Sequence, residues 1–109
     1  MQMYYNIQRK GDNMKAIIKE VGKSPRVEDI KNDLETLKSL VGGYIEVVRM
    51  EENILLICNE EGKINGLPPN FSMGYDVIVG TAVFVAFDGK EDFTGLSDTQ
   101  MLLIMDKLS

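Results

Sequence analysis

The sequence predicts an α+β domain, with a mostly antiparallel sheet of about five strands and two short helices packed on it. Segments rich in β-branched and apolar residues predict the strands, and two segments with apolar residues at helical spacing predict the helices. Short polar or glycine-containing links join neighbouring strands, which favours antiparallel hairpins over parallel crossovers.

Five segments are predicted to be strands. The fourth is apolar at nearly every position, so we expect it to lie centrally in the sheet with both faces covered. The fifth contains Gly80, which predicts a bulge or a close backbone approach. In chain order the predicted strands are residues 14–21, 26–30, 44–50, 54–59 and 76–87.

Two helices are predicted from capping residues followed by apolar repeats. Asn32 is expected to cap a helix over residues 33–41, with Glu35 completing a capping box, and Gly42 follows its end. Ser97 and Gln100 predict a second capping box before the C-terminal helix.

The longest irregular stretch is residues 60–70. Two glycines force defined turns there, and Pro68 and Pro69 are expected to prevent regular strand pairing. Such a segment is either a functional loop or a structural connection.

The composition indicates one soluble globular domain. The chain has 109 residues, 12 Lys+Arg against 17 Asp+Glu, a net charge of −5 and 44% hydrophobic residues. The absence of a membrane-length apolar run and of a basic stripe argues against membrane or polymeric nucleic-acid partners. A single cysteine allows no internal disulfide, so the expected location is the cytoplasm of a bacterial host.

Residues 1–13 are expected to be a translated leader or to reflect a mis-called start. The tripeptide Lys10-Gly11-Asp12 can be encoded as AAA-GGA-GAT, which reads as a bacterial ribosome-binding sequence just before Met14. Residues 14–109 would then form the single domain. The alternative is a genuine N-terminal strand built on Met3, Tyr4, Tyr5 and Ile7.

The residues needed for catalysis are not found in recognisable patterns. The chain has no histidine, and Cys58 lies in an apolar run, so its thiol is expected to be buried and inert. The paired glycines lack the spacing of a phosphate loop, and the acidic turn at residues 88–92 does not match a calcium loop. We therefore expect no enzyme activity, no cofactor and no metal.

Non-covalent ligand binding is the function that the remaining residues favour. An arginine to grip a phosphate, an aromatic face and an amide make a minimal nucleotide pocket. Phe84 is also the type of residue that usually belongs to a core, so the alternative for it is structural. The candidate ligand-binding residues are Arg26, Arg49, Asn65, Asn70, Phe71, Thr81 and Phe84.

Several strings of the chain together resemble an uncharacterised family of small domains of unknown function, common in phages and mobile elements of Gram-positive bacteria. They include Met14-Lys15-Ala16-Ile17-Ile18-Lys19, Asn65-Gly66-Leu67-Pro68-Pro69-Asn70 and Val79-Gly80-Thr81-Ala82. The resemblance covers residues 14–109. Many members carry an arginine where this chain has Phe71. The resemblance therefore does not imply that this position binds a phosphate.

The chain is also similar in kind to phage anti-defence proteins of the anti-Thoeris type. Those proteins sequester cyclic nucleotide signals of bacterial immunity, commonly as oligomers with pockets at subunit boundaries. The leading hypothesis is therefore a non-enzymatic phage or prophage accessory protein that binds a small nucleotide as a homo-oligomer. The warrant is size, charge and genomic context rather than a shared motif.

Two alternatives remain open. The first is a protein-binding inhibitor that acts as an acidic decoy for a host defence or restriction enzyme. The net charge of −5 is mild for such a decoy, and lysines are interspersed among its carboxylates. The second is a small enzyme that acts through backbone groups and carboxylates. The carboxylates considered for the decoy are Glu28, Asp29, Asp33, Glu35, Glu51 and Glu52.

Overall fold

The structure is a computed structural model that describes residues 12–109. Its strands are β1 (Asn13–Lys19), β2 (Arg26–Lys31), β3 (Ile45–Arg49), β4 (Ile54–Asn59), β5 (Pro69–Met73), β6 (Asp76–Val79), β7 (Ala82–Phe87) and β8 (Phe93–Thr94). Its helices are α1 (Leu34–Val41) and α2 (Asp98–Leu108). Neither helix has the length and apolar character needed to cross a membrane.

The main sheet has the strand order β2-β1-β7-β4-β3, and the short β8 pairs with β7. All its pairings are antiparallel, so the prediction of an α+β domain with a mostly antiparallel sheet is confirmed. The β1–β2 and β3–β4 hairpins are joined through β7, where Phe84 lies opposite both Ile17 and Leu56. Every residue of β4 is buried, as its continuous apolar sequence predicts.

Alternation along the strands divides the core into two layers of side chains. On the first face, residues such as Ile18 and Leu55 pack with Leu37 and Val41 of α1. On the second face, residues such as Phe84 pack with α2 and with a separate hairpin made of β5 and β6. The sheet is therefore the middle of three layers. One helix covers its first face, and a helix together with a hairpin covers its second face.

The single strand predicted over residues 76–87 is wrong, because Gly80 divides it into β6 and β7. Gly80 has φ +72°, and its backbone N–H donates to the Pro68 carbonyl at 2.8 Å. A positive φ turns the chain sharply at low cost only for glycine. The two halves consequently belong to different sheets.

The prediction that residues 60–70 contain no strand pairing is also wrong at their C-terminal end. Pro69 begins β5 and lies opposite Val79 of β6, with a register irregularity before Phe71. Proline is tolerated as the first residue of a strand because its missing N–H falls where the ladder begins. The two-residue β8 is another strand that the sequence pattern did not reveal.

Of the two predicted N-terminal helix caps, one is confirmed and one is displaced. The capping box of α2 is confirmed, since Ser97 and Gln100 exchange hydrogen bonds. The cap predicted for α1 is wrong by one residue: Asp33 accepts from the Thr36 N–H at 2.8 Å. Asn32 is buried instead, and its Nδ2 donates to the Phe93 carbonyl at 2.9 Å.

Most of the predicted leader, residues 1–13, lies outside the described residues. Its last two residues do extend the β1–β2 ladder. Asn13 lies opposite Lys31, and the Asp12 carbonyl accepts from the Asn32 N–H at 2.9 Å. The described β1 therefore begins one residue before Met14.

Candidate functional site

A recess opens on the second face of the sheet, where the end of β3, the β5–β6 hairpin and the C-terminal half of α2 meet. Its outer part has a volume of about 200 Å³ and continues inward as a slot of about 30 Å³. The two parts share Met50, Met73 and Lys107. We call it the Arg49 recess; its remaining lining residues are Arg49, Glu51, Phe71, Ser72, Phe84, Ile104 and Leu108.

The inner wall of the Arg49 recess is apolar and aromatic. Phe71 of β5 stacks on Phe84 of β7 with ring centroids 6.1 Å apart and an angle of 24° between the planes. Met50 and Met73 lie beside them, and thioether side chains adapt to flat or irregular apolar groups. The wall can therefore accept a planar ring system of modest size.

Two cations, Arg49 and Lys107, border the outer part of the Arg49 recess. The Arg49 guanidinium lies 4.6 Å from the centroid of the Phe87 ring, which supports it by a cation–π contact on the first face of the sheet, the face shared by its ladder partner Leu55. Lys107 Nζ lies 3.2 Å from Glu51 Oε2. Lys107 is therefore the cation that also lines the aromatic inner wall.

Of the seven predicted ligand-binding residues, the structure brings Phe71 and Phe84 together in the inner slot. Arg49 borders only the outer part, and its guanidinium lies over Phe87 on the other face of the sheet. Arg26 is elsewhere, on the edge strand β2. Its Nη1 lies 2.6 Å from Glu20 Oε2, and its Nε donates to Glu28. These two hydrogen bonds raise the pKa of Arg26, and the Arg26 hydrogen bond lowers the pKa of Glu20.

Asn70 holds the fold together rather than facing the recess. Its Nδ2 donates to the carbonyls of Lys19 and Gly80, both at 2.8 Å, and its Oδ1 accepts from Lys19 Nζ at 3.0 Å. These bonds fasten the β5–β6 hairpin to β1. Thr81 is half-buried between β6 and β7, and Asn65 is exposed in the turn before β5, so neither lines the recess.

Sequence reasoning missed Lys107 and the methionines of the recess. The apolar repeat of α2 predicted only a face packed on the sheet. The signal that could have found Lys107 is its spacing, because residues three apart on a helix lie on the same side. Ile104, which is buried against the sheet, therefore directs Lys107 towards the same region.

A second concavity lies between the β3–β4 edge, the turn at residues 60–66 and β6, with a volume of about 260 Å³. Lys63 forms an ion pair with Asp76, which raises the pKa of Lys63 and lowers the pKa of Asp76. The described charged lining of this concavity consists of three carboxylates and one lysine. We call it the acidic cleft; its charged lining residues are Glu46, Glu60, Lys63 and Asp76.

Cys58 lies in the floor of the acidic cleft with its side chain buried. Its Sγ is 4.0 Å from Glu46 Oε1. Burial, followed by the negative charge of Glu46, raises the pKa of the Cys58 thiol to about 11. At neutral pH the group is then a thiol rather than the nucleophilic thiolate. The predicted burial of Cys58 is confirmed.

Four of the six carboxylates considered for an acidic decoy are engaged by partners within the protein. Glu28 pairs with Arg26, Asp29 with Lys15 at 3.1 Å and Glu51 with Lys107. Asp33 accepts the capping bond of α1. Within residues 12–109, no three carboxylate or thiolate side chains are grouped so that they could hold a metal ion.

The comparisons with known proteins add a family but no activity. A family model described as Domain of unknown function (DUF3846) matches residues 14–109. No curated protein and no solved structure matches the chain. The resemblance to a family of unknown function over this range is therefore confirmed.

Proposed function

Because the chain belongs to the DUF3846 family, a domain of unknown function, we propose its role from the geometry of its concave surfaces. The protein binds and sequesters a small nucleotide without transforming it. The observation that carries this proposal is the Arg49 recess, which places Lys107 beside an aromatic and methionine-lined wall and Arg49 at the border of its outer part. Charge and a flat apolar surface side by side suit a phosphate joined to a base.

In this proposal each part of the recess has one task. Lys107 contacts phosphate oxygens, and Arg49 joins it with two parallel hydrogen bonds once its side chain turns from the Phe87 ring towards the outer part of the recess. Met50, Met73 and the edge of the Phe71–Phe84 stack contact the base. The Ser72 hydroxyl offers a hydrogen bond to a ribose or base edge.

Sequestration rather than turnover follows from the side chains present in the recess. Its described lining contains no histidine and no cysteine, and its one carboxylate, Glu51, is engaged by Lys107. Glu51 and Lys107 are the titratable pair of the described lining, and in this proposal their charges serve binding rather than proton transfer. Binding without chemistry is sufficient for a phage or prophage accessory protein that removes an immune signal.

The proposal includes a homo-oligomer. The outer part of the recess is shallow, and about 200 Å³ does not enclose a nucleotide on its own. A domain of this size has a small core with little room for a larger internal cavity. A second copy that covers the open side would exclude water from the ligand and strengthen its contacts with Arg49 and Lys107.

Thermal unfolding in the presence of cyclic dinucleotides and cyclic ADP-ribose isomers tests the proposal. A bound nucleotide at 100 times its Kd stabilises the protein by about 2.7 kcal/mol and raises Tm by several degrees. Arg49→Gln and Lys107→Gln should each weaken binding by about tenfold or more. Lys31→Gln is the matched control, because Lys31 is exposed on β2 and outside the recess.

Two further measurements complete this test. Native mass spectrometry should show the oligomer, and the ligand released by denaturation should have its original mass. If no nucleotide raises Tm, or if the released compound has been altered, the proposal is wrong.

Inhibition of a host enzyme by protein binding is the second candidate. The acidic cleft favours it, because a concave surface with excess carboxylates complements a basic surface on another protein. Co-purification with a host protein, together with no nucleotide-induced rise in Tm, would support this candidate over sequestration.

A further inference from the structure

The outer edge of β3 is open within residues 12–109, where β3 pairs only with β4. The Tyr44 carbonyl accepts from the Glu60 N–H, and the Met50 N–H donates to the Ile54 carbonyl. In an antiparallel ladder these bonds recur at every second residue. The even-numbered residues of β3 therefore bond to β4, and the N–H and C=O groups of Ile45, Val47 and Arg49 point away from the sheet.

The acidic cleft lies directly beside this open edge. Glu46 and Val48 of β3 form one wall, and residues 76–79 of β6 form the other. Lys63 is already engaged by Asp76, and Glu46 has no ion-pair partner within the described residues. An incoming strand at the edge would thus place alternate side chains next to uncompensated negative charge.

Exposed apolar side chains surround the same cleft. Ile64 and Val77 line it, and Tyr75 immediately precedes Asp76. Tyr44 is not part of this lining, since its ring centroid lies 5.0 Å from Lys38 Nζ of α1. Ile64 and Val77 are two of the six large hydrophobic residues that are exposed in residues 12–109, and exposed apolar side chains inside a concave surface are typical of an interaction surface.

We propose that the edge of β3 and the acidic cleft together bind an extended basic segment of a partner protein, which pairs with β3 and places lysine or arginine side chains beside Glu46. Backbone hydrogen bonds to Ile45, Val47 and Arg49 supply affinity, and the carboxylates select the side chains at every second position. This site is distinct from the Arg49 recess, and it would define the docking mode of the second candidate function.

Charge decides between the possible occupants of this surface. A nucleic acid would bring phosphates against Glu46 and Glu60, which is unfavourable. A second copy of this chain would bring another acidic cleft and another net charge of −5 to the same interface. A basic strand from a different protein is the occupant whose charge complements the cleft.

Synthetic seven-residue peptides with alternating lysine and valine, capped at both ends, are the probe. Binding is measured by fluorescence anisotropy at low salt with the full chain. A peptide of the same composition with its lysines in one block and a peptide with glutamate in place of lysine are the peptide controls. We expect the alternating peptide to bind at least about tenfold more tightly than either control.

Protein variants and backbone probes locate the binding. Glu46→Lys should weaken binding by about tenfold, and Glu91→Lys, an equal charge change in the exposed turn after β7, by less than about twofold. Two N-methylated peptides can be compared, one methylated at the odd-numbered amides and one at the even-numbered amides. Only one of the two should lose binding, because only one set of N–H groups faces β3. Amide exchange of Val47 should slow in the complex.

The outcomes separate this proposal from nucleotide sequestration. Glu46→Lys should retain any nucleotide-induced rise in Tm, because Glu46 does not line the Arg49 recess. The proposal would be overturned if the alternating peptide did not bind, or if Glu46→Lys bound it as tightly as the unsubstituted protein. It would also be overturned if both N-methylated peptides still bound. A concentration-dependent dimer that competes with the peptide would assign the edge to a second copy and would also overturn it.

Discussion

At the scale of single residues, a polar side chain in this protein can be explained only by what it is bonded to. Asn70 has the amide expected of a ligand-reading residue, yet it satisfies the carbonyls of Lys19 and Gly80 in the fold. Buried carbonyls need donors, and a side-chain amide supplies two. Arg26 is similarly engaged by Glu20 and Glu28, whereas the Arg49 side chain rests on the Phe87 ring and has no hydrogen-bond partner among residues 12–109.

The reactivity of Cys58 follows from its raised pKa. A thiol whose pKa moves from 9.0 to about 11 has about 100-fold less thiolate at pH 8, and thiolate is the form that is alkylated. We expect alkylation by iodoacetamide to be at least about 100-fold slower in the native protein than in urea. Its rate should rise about tenfold per pH unit until pH reaches about 11.

An exposed cysteine provides the control for this measurement. Ser24→Cys in a Cys58→Ala background places a thiol in the exposed turn between β1 and β2, where it should react at the rate of a free thiol. Comparable rates for Cys58 and this control at pH 8 would contradict the assignment of a protonated, shielded thiol.

At the scale of elements, the largest difference from expectation is the break between β6 and β7. Residues 76–87 are apolar almost throughout, and local periodicity gives no reason to divide them. The division is made by the conformation of Gly80, the bond from its N–H to Pro68 and the anchoring of its carbonyl by Asn70. As a result, the β5–β6 hairpin folds over the second face and forms walls of both concavities.

Gly80→Ala should destabilise the protein more than Gly89→Ala. Both glycines have positive φ, but only a Cβ at Gly80 would meet another side chain, lying 2.7 Å from Leu67 Cδ1. We expect a loss of about 2 kcal/mol for Gly80→Ala and about 1 kcal/mol for Gly89→Ala, measured by urea denaturation. Equal losses would mean that Leu67 moves aside freely and that backbone conformation alone determines the cost.

At the scale of the whole molecule, different elements pack on the two faces of the sheet. The helix α1 packs on one face, and α2 shares the other with the β5–β6 hairpin. The Arg49 recess lies where the covers of the second face meet, so its shape depends on the docking of α2. A substitution that detaches α2 from the second face should consequently also abolish the proposed ligand binding.

A pair of substitutions on α2 tests this dependence. Ile104 is 1% exposed and Leu102 is 72% exposed, although they lie on the same helix two residues apart. Ile104→Asp buries an unpaired charge and should cost about 4 kcal/mol. Leu102→Asp should change the free energy of unfolding by less than about 0.5 kcal/mol.

Urea denaturation followed by circular dichroism measures the free energy of unfolding of both α2 variants. The prediction would be contradicted if Ile104→Asp unfolded at the same urea concentration as Leu102→Asp, since α2 would then contribute little to the second face.

The sequence by itself determined the α+β class, the capping of α2, the continuous burial of β4 and the burial of Cys58. These properties depend on periodicity and on residues near one another in the chain. Only the tertiary structure decided that β7 lies at the centre, that β5 and β6 form a separate hairpin and that Arg49, Phe71, Phe84 and Lys107 line one recess. Those residues come from β3, β5, β7 and α2, and contacts between distant elements depend on how the layers pack rather than on any local pattern.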